Sequence, residues 1–170
     1  AGIAVDPGRA MGVVATDFDG DGWTDLFVAN DATVKGGTYY PVGVALSTLI
    51  KVKLQPTEQI NMSAINSAGS GENVKLLREN QVQFAILQGL YGYYAWNGKG
   101  PVQQPHKELR SVTMLWQNVE QFLLRSEHVT SGTVADMLAL KGARMAMGKK
   151  NSGTIGSNRF LLNNLGINAD

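Results

Sequence analysis

The chain has 170 residues, a formal net charge of +1 and an apolar fraction of 44%, enough for one domain or two small ones with a real core. The near-neutral balance, with no dense lysine–arginine cluster, excludes a surface built for nucleic acid or an anionic membrane. The lack of cysteine excludes disulfides, thiolate zinc sites and a cysteine nucleophile.

Ala1-Gly2-Ile3-Ala4-Val5-Asp6 lacks the basic start and apolar stretch of a signal peptide, as a mature exported protein also would. No run of about 18 apolar residues is present, so no membrane span is expected. Val13-Val14-Ala15 leads into an acid-glycine run, and Leu26-Phe27-Val28-Ala29-Asn30 follows, which reads as strand, tight loop, strand. Val42, Leu46, Leu49 and Ile50 recur on one helical face. Ile60 to Ile65 is strand-like. Val74, Leu77 and Val82 suit an amphipathic helix, and Phe84-Ala85-Ile86-Leu87 a short buried strand. Tyr91, Tyr94 and Ala95 predict a helix stopped by Asn97-Gly98-Lys99-Gly100-Pro101. Val112 to Trp116, Gln121 to Leu124 and Arg144 to Met147 read as strands. Val134 to Leu138 reads as one or two helical turns, and Ile155 to Leu165 as a helix ending at Gly166. Strands alternating with helices predict an α/β fold of parallel strands joined by crossover helices.

Asp17-Phe18-Asp19-Gly20-Asp21-Gly22-Trp23-Thr24-Asp25 places carboxylates at positions one, three, five and nine. They converge if the backbone curls, as Gly20 and Gly22 permit, and the Trp23 carbonyl adds an oxygen. Hard oxygen donors in this number suit calcium. The first six positions match an EF-hand loop, but the twelfth is Val28 rather than glutamate and the flanks are strand-like. A calcium-binding β-hairpin is therefore expected, with a polar turn as the plainer alternative.

Three short small-residue loops run into helical patterns: Lys35 to Pro41, Asn66 to Asn73 and Lys149 to Thr154. A helix start leaves N–H groups unpaired and carries partial positive charge, while glycine admits close approach and serine or threonine adds a donor. In a parallel sheet such loops fall beyond the carboxyl ends of the strands, where ligands bind. Three of them facing one cleft would hold a small carboxylate or phosphate. Ser70, Asn73, Ser152 and Thr154 would equally serve as helix caps, and Tyr39 and Tyr40 as core packing.

Residues 12–31, from Gly12-Val13-Val14-Ala15-Thr16-Asp17 through Asp25-Leu26-Phe27-Val28-Ala29-Asn30-Asp31, resemble one FG-GAP/VCBS repeat. That resemblance implies calcium held by Asp17, Asp19, Asp21, Asp25 and the Trp23 carbonyl, in an extracellular setting. One repeat cannot close a propeller.

From about Gly36 onward the chain resembles a different family. The segments are Gly37-Thr38-Tyr39-Tyr40-Pro41-Val42-Gly43, Ser67 to Leu77, Phe84 to Gln88, Tyr94 to Gly98, Leu140 to Gly148 and Ser152-Gly153-Thr154. Together they are similar to the first half of a TAXI-type solute receptor of the TRAP transporters. The resemblance implies a periplasmic-binding-protein-like lobe over 35–125 and the start of an incomplete second lobe over 126–170, behind the calcium hairpin that the FG-GAP/VCBS resemblance implies over 1–34. It implies a small carboxylate such as glutamate, contacted by Tyr39, Tyr40, Ser67, Ser70, Asn73, Gln88, Ser152, Gly153 and Thr154. It also implies TRAP permease subunits as partners and a periplasmic or extracellular location. Gly89-Leu90 stands where that family has a polar pair, and Leu26 to Ala29 occupies the place of its first strand. Joining two extracytoplasmic families in this way implies a fusion, a chimera or a fragment, and an open sheet edge would invite a homodimer.

His106 and His128 stand far apart beside polar residues and read as surface positions. There is no Gly-x-Ser-x-Gly elbow and no His-Glu-x-x-His motif. Gly142 to Lys149 approaches a P-loop, but its glycine gap is one residue too long and Lys150 replaces the hydroxyl residue. Trp96 and Trp116 read as packing residues. Binding without catalysis is the leading expectation. The alternatives are a calcium-stabilised interaction module or a protein with no working ligand site.

Overall fold

Apolar strand runs separated by helix starts give the parallel order that the alternation predicts. A computed structural model describes residues 38–168 and the backbone of residues 24–31. Strand β1 (Thr24–Asp31) leads to helix α1 (Tyr39–Lys53), the single turn α2 (Gln55–Glu58) and strand β2 (Ile60–Ser67). Helix α3 (Ser70–Arg78), the short strand β3 (Phe84–Ala85) and helix α4 (Gly89–Asn97) follow. After a long stretch without strand or α-helix come 3-10 turns at Ser126–His128 and Val134–Leu140, then helix α5 (Gly153–Asn164).

The sheet order is β2-β1-β3 and both pairings are parallel. β1 is the central strand: Asp31 stands beside Ser67 on one side, and Ala29 beside Ala85 on the other. The segment Leu26 to Ala29 thus fills the first-strand position of the α/β unit. Crossovers toward β2 and then back past β1 toward β3 run in opposite directions, so right-handedness puts α1 and α3 on opposite faces. The switch point lies between β1 and β3, and its crevice opens at the carboxyl ends of the strands.

α1 accepts Pro41 because the amides of its first turn have no helical partner to lose. The expected stripe is only partly right. Val42, Leu46 and Ile50 are half-buried, but Leu49 is exposed and the buried positions are Gly43 and Ser47. These small residues let the helix approach β1 and β2 closely, and the Ser47 hydroxyl is satisfied by donating to the Gly43 carbonyl at 2.8 Å. α3 ends at Arg78, so Val82 lies outside it; Val82 is buried against Leu76 instead. Gly98 in the left-handed region closes α4, and the amide of Lys99 donates to the Tyr94 carbonyl.

Three runs expected as strands do not form them. Residues 112–116, 121–124 and 144–147 have strand-like composition but no ladder partner among the described residues. Strand propensity reflects packing against neighbours, and without them an apolar run stays irregular. Much of it remains exposed, including Val112, Met114 and Leu123. Phe84 to Leu87 shortens to two residues because the Asn73 side-chain amide takes the Ile86 carbonyl at 2.9 Å.

Burial is divided among three clusters. Val74, Tyr91, Ala95 and Val102 join α3 to α4, while Leu76 and Val82 pack under Ile65 and Ala85. Met137, Leu162 and Ile167 pack with Phe122, Leu124 and Met147. Trp96 and Trp116 are substantially exposed; Trp96 carries Lys107 over its ring at 4.6 Å. His106 is half-buried rather than on the surface, with its backbone N–H on the Ala95 carbonyl. His128 is exposed as expected. No helix among the described residues is long and apolar enough to cross a membrane.

Candidate functional site

Gln88 joins three helix starts. It is the N-cap of α4, and its carbonyl accepts from the amides of Tyr91 and Gly92 at 3.0 and 3.1 Å. Its own N–H donates to the hydroxyl of Ser70, the first residue of α3, at 3.1 Å. Its side-chain amide donates to the hydroxyl of Ser157 in α5 and to Oε1 of Glu120, the latter at 3.0 Å. The side-chain oxygen of Gln88 is buried and has no hydrogen-bond partner. An added Cβ on Gly153 would stand 2.8 Å from that oxygen and 3.1 Å from the Ser70 hydroxyl. Glycine at the first residue of α5 is what allows this approach.

The starts of α3 and α5 also meet through the backbone, where the Gly71 N–H donates to the Asn151 carbonyl at 3.0 Å. α3 opens on Gly69 at φ 130°, a region that favours glycine. Ahead of it, the Gly69 N–H donates to the Ser67 hydroxyl and the Ala68 N–H to the Glu72 carboxylate. That carboxylate sits in the first turn, where the helix dipole favours it. Ser152 caps α5 by accepting from the Ile155 N–H at 3.3 Å.

Of the residues expected to contact a ligand, Ser70, Gln88, Ser152 and Gly153 come together. Ser67 and Asn73 flank them from either side of the α3 start. Ser67, Ser70, Asn73 and Ser152 are buried. Ser152 caps α5, whereas α3 has no side-chain cap: Ser70 bridges to the Gln88 N–H and the Asn73 amide donates to the Ile86 carbonyl. Thr154 is exposed, with its side chain against Gly148. Tyr39 and Tyr40 are half-buried at the start of α1, on the same edge of the sheet. Tyr39 reaches the cluster through a connecting segment. The Tyr39 ring meets Trp116 edge-on at 5.5 Å, its hydroxyl accepts from Asn118 at 3.1 Å, and two residues later Glu120 meets Gln88.

Sequence reasoning missed the α4 start as a third partner, and it missed Ser157, Asn118, Glu120 and Asn151. Ser157 is 69 positions from Gln88 and Glu120 is 32, so no local pattern joins them. The calcium loop residues Asp17, Asp19, Asp21 and Trp23 lie outside the described residues, as do Gly36 and Gly37. The backbone of Asp25 lies in β1 opposite Asn61.

A second polar knot lies at 130–136. The amides of Thr130, Ser131 and Gly132 and the Ser131 hydroxyl all converge on the Asp136 carboxylate. The Ser131 side-chain and backbone hydrogen bonds, supported by those of Thr130 and Gly132, hold its pKa down at about 2. Burial moves the Tyr91 hydroxyl the other way, above its ordinary value, with Tyr94 adding to the shift and Arg159 opposing it.

Chemically, the site offers amide and hydroxyl donors at three adjoining helix starts. A family model described as the NMT1-like family matches residues 32–170.

Proposed function

The chain belongs to the NMT1-like family, a family with an extracytoplasmic solute-binding role, and we propose that it takes a small carboxylate such as glutamate as its solute. The observation that carries this reading is the junction of the α3, α4 and α5 starts at Gln88. Aligned peptide dipoles and hydroxyl donors favour a negative group there. Its contacts would come from Gln88, Ser70, Ser152 and Gly153, with Tyr39 and Tyr40 from the start of α1. Binding, not bond-making, is the proposed role. The resemblance to TAXI-type receptors supports TRAP permease subunits as the membrane partner, a periplasmic setting and closure of two lobes over the solute.

A structural calcium ion in the loop from Asp17 to Asp25 belongs to the same reading. It is supported by the donor set: four carboxylates and a carbonyl oxygen suit a hard cation. The ion would stiffen the segment leading into β1, and it takes no part in solute binding.

Isothermal titration with glutamate tests the proposal. Saturable heat at micromolar to millimolar glutamate, reduced in Gln88→Ala, is the expected result. No heat with glutamate or related acids overturns it.

A further inference from the structure

One donor of the site, the Gln88 side-chain amide, already holds a carboxylate, and it belongs to the chain. Glu120 Oε1 accepts from the Gln88 side-chain amide at 3.0 Å. No ion pair among the described residues gives Glu120 a cation. Its segment crosses the carboxyl-end edge of the sheet as a strap. Trp116 rests on the Tyr39 ring, Asn118 donates to the Tyr39 hydroxyl, and Glu120 reaches Gln88. The strap touches residues assigned to the solute at both ends.

The strap is also lightly held. Among the described residues no backbone–backbone hydrogen bond fixes residues 111–124. Val119 is 77% exposed, so Trp116 is the strap's one apolar side chain in contact with the site. The three side-chain contacts named above lay it over the site, and just beyond it Phe122 and Leu124 pack with Met137 and Leu162 and tie the chain down. Beneath it the Gln88 side-chain oxygen is buried with no partner, as the network stands.

We propose that Glu120 is an internal stand-in for the solute's carboxylate, and that a solute must displace the 116–120 strap to bind. The inference rests on the carboxylate-binding reading above. Two negative groups competing for one amide donor cannot both be satisfied, and they repel each other. Glu120 therefore sets the affinity threshold of the site.

The test is titration of glutamate, and of glutarate, which lacks the ammonium, into the wild-type chain and Glu120→Gln. Trp116 emission is followed in parallel in a Trp23→Phe, Trp96→Phe background. The expected result is that Glu120→Gln binds both acids about tenfold tighter, with Trp116 emission shifting as the strap leaves Tyr39. Equal affinity in both proteins overturns the inference and leaves the carboxylate reading standing. Weaker glutamate binding with unchanged glutarate binding in Glu120→Gln also overturns it, by making Glu120 the partner of the solute's ammonium. Absence of binding by either protein removes the carboxylate reading, and this inference with it.

Discussion

Gly156 of α5 lies against the ring of Tyr91 on α4 so closely that an added Cβ would stand 2.5 Å from Cε2 and 2.8 Å from the hydroxyl oxygen. The same ring abuts Gly71 of α3, where a Cβ would stand 3.3 Å from Cε1. Tyr91 is 3% exposed and packed with Val74, Ala95 and Val102. It is the apolar wedge beneath the polar junction at Gln88, so the spacing of the three helix starts depends on two absent methyl groups.

Gly156→Ala should therefore destabilise the chain by about 1–3 kcal/mol, the usual range for overpacking. Gly92→Ala is the matched control. It lies inside α4, and its Cβ would meet nothing within 4 Å. Removing glycine's backbone freedom there should stabilise by about 0.5–1 kcal/mol. Urea denaturation of the two variants should give shifts of opposite sign.

Ser70→Ala removes the acceptor of the Gln88 N–H without filling new space. A part-buried amide left without its partner costs about 1–3 kcal/mol. The loss should appear both in the denaturation midpoint and as weaker glutamate binding, because the α3 and α4 starts lose their link. Ser70→Thr, which retains a hydroxyl, should recover part of the binding if its methyl is accommodated.

Asp136 should give the chain a specific acid sensitivity. Its folded pKa is about 2 against an ordinary 3.8, so the folded state binds the proton later than the unfolded state does. The resulting stability is fully present above about pH 4 and is lost as pH falls toward 2. Melting temperatures of wild type and Asp136→Asn should differ most above pH 4 and converge toward pH 2. A gap that stays constant across that range would assign the stabilisation to something other than the carboxylate's charge.

Calcium should raise the melting temperature of the wild-type chain, and a chelator should reverse the effect. Asp19→Asn combined with Asp21→Asn should abolish the rise, since it replaces two of the four charged donors. Magnesium at the same concentration should do less, because it demands tighter octahedral geometry. A thermal shift series with the two ions checks both statements.

The sequence by itself settled the things that are local. Helix starts at Ser70 and Gly153 were legible because glycine, serine and asparagine before an apolar repeat can only be caps or ligand loops. The stop at Gly98 was legible because a left-handed residue ends a helix wherever it occurs. Parallel pairing of Leu26 to Ala29 with Ile60 to Ile65 follows from strands separated by a helix.

Tertiary structure decided the rest, because partnership is not written in any one segment. Val112 to Trp116 has the composition of a strand and Gln121 to Leu124 nearly so, yet among the described residues each lies without a ladder, since a strand exists only beside another. The helix stripe of α1 turned toward Gly43 and Ser47 because closeness to the sheet outweighed the burial of Leu49. The site itself needed the fold most. Gln88 meets Glu120 and Ser157 across 32 and 69 positions, distances over which side-chain hydrogen bonds leave no periodic trace.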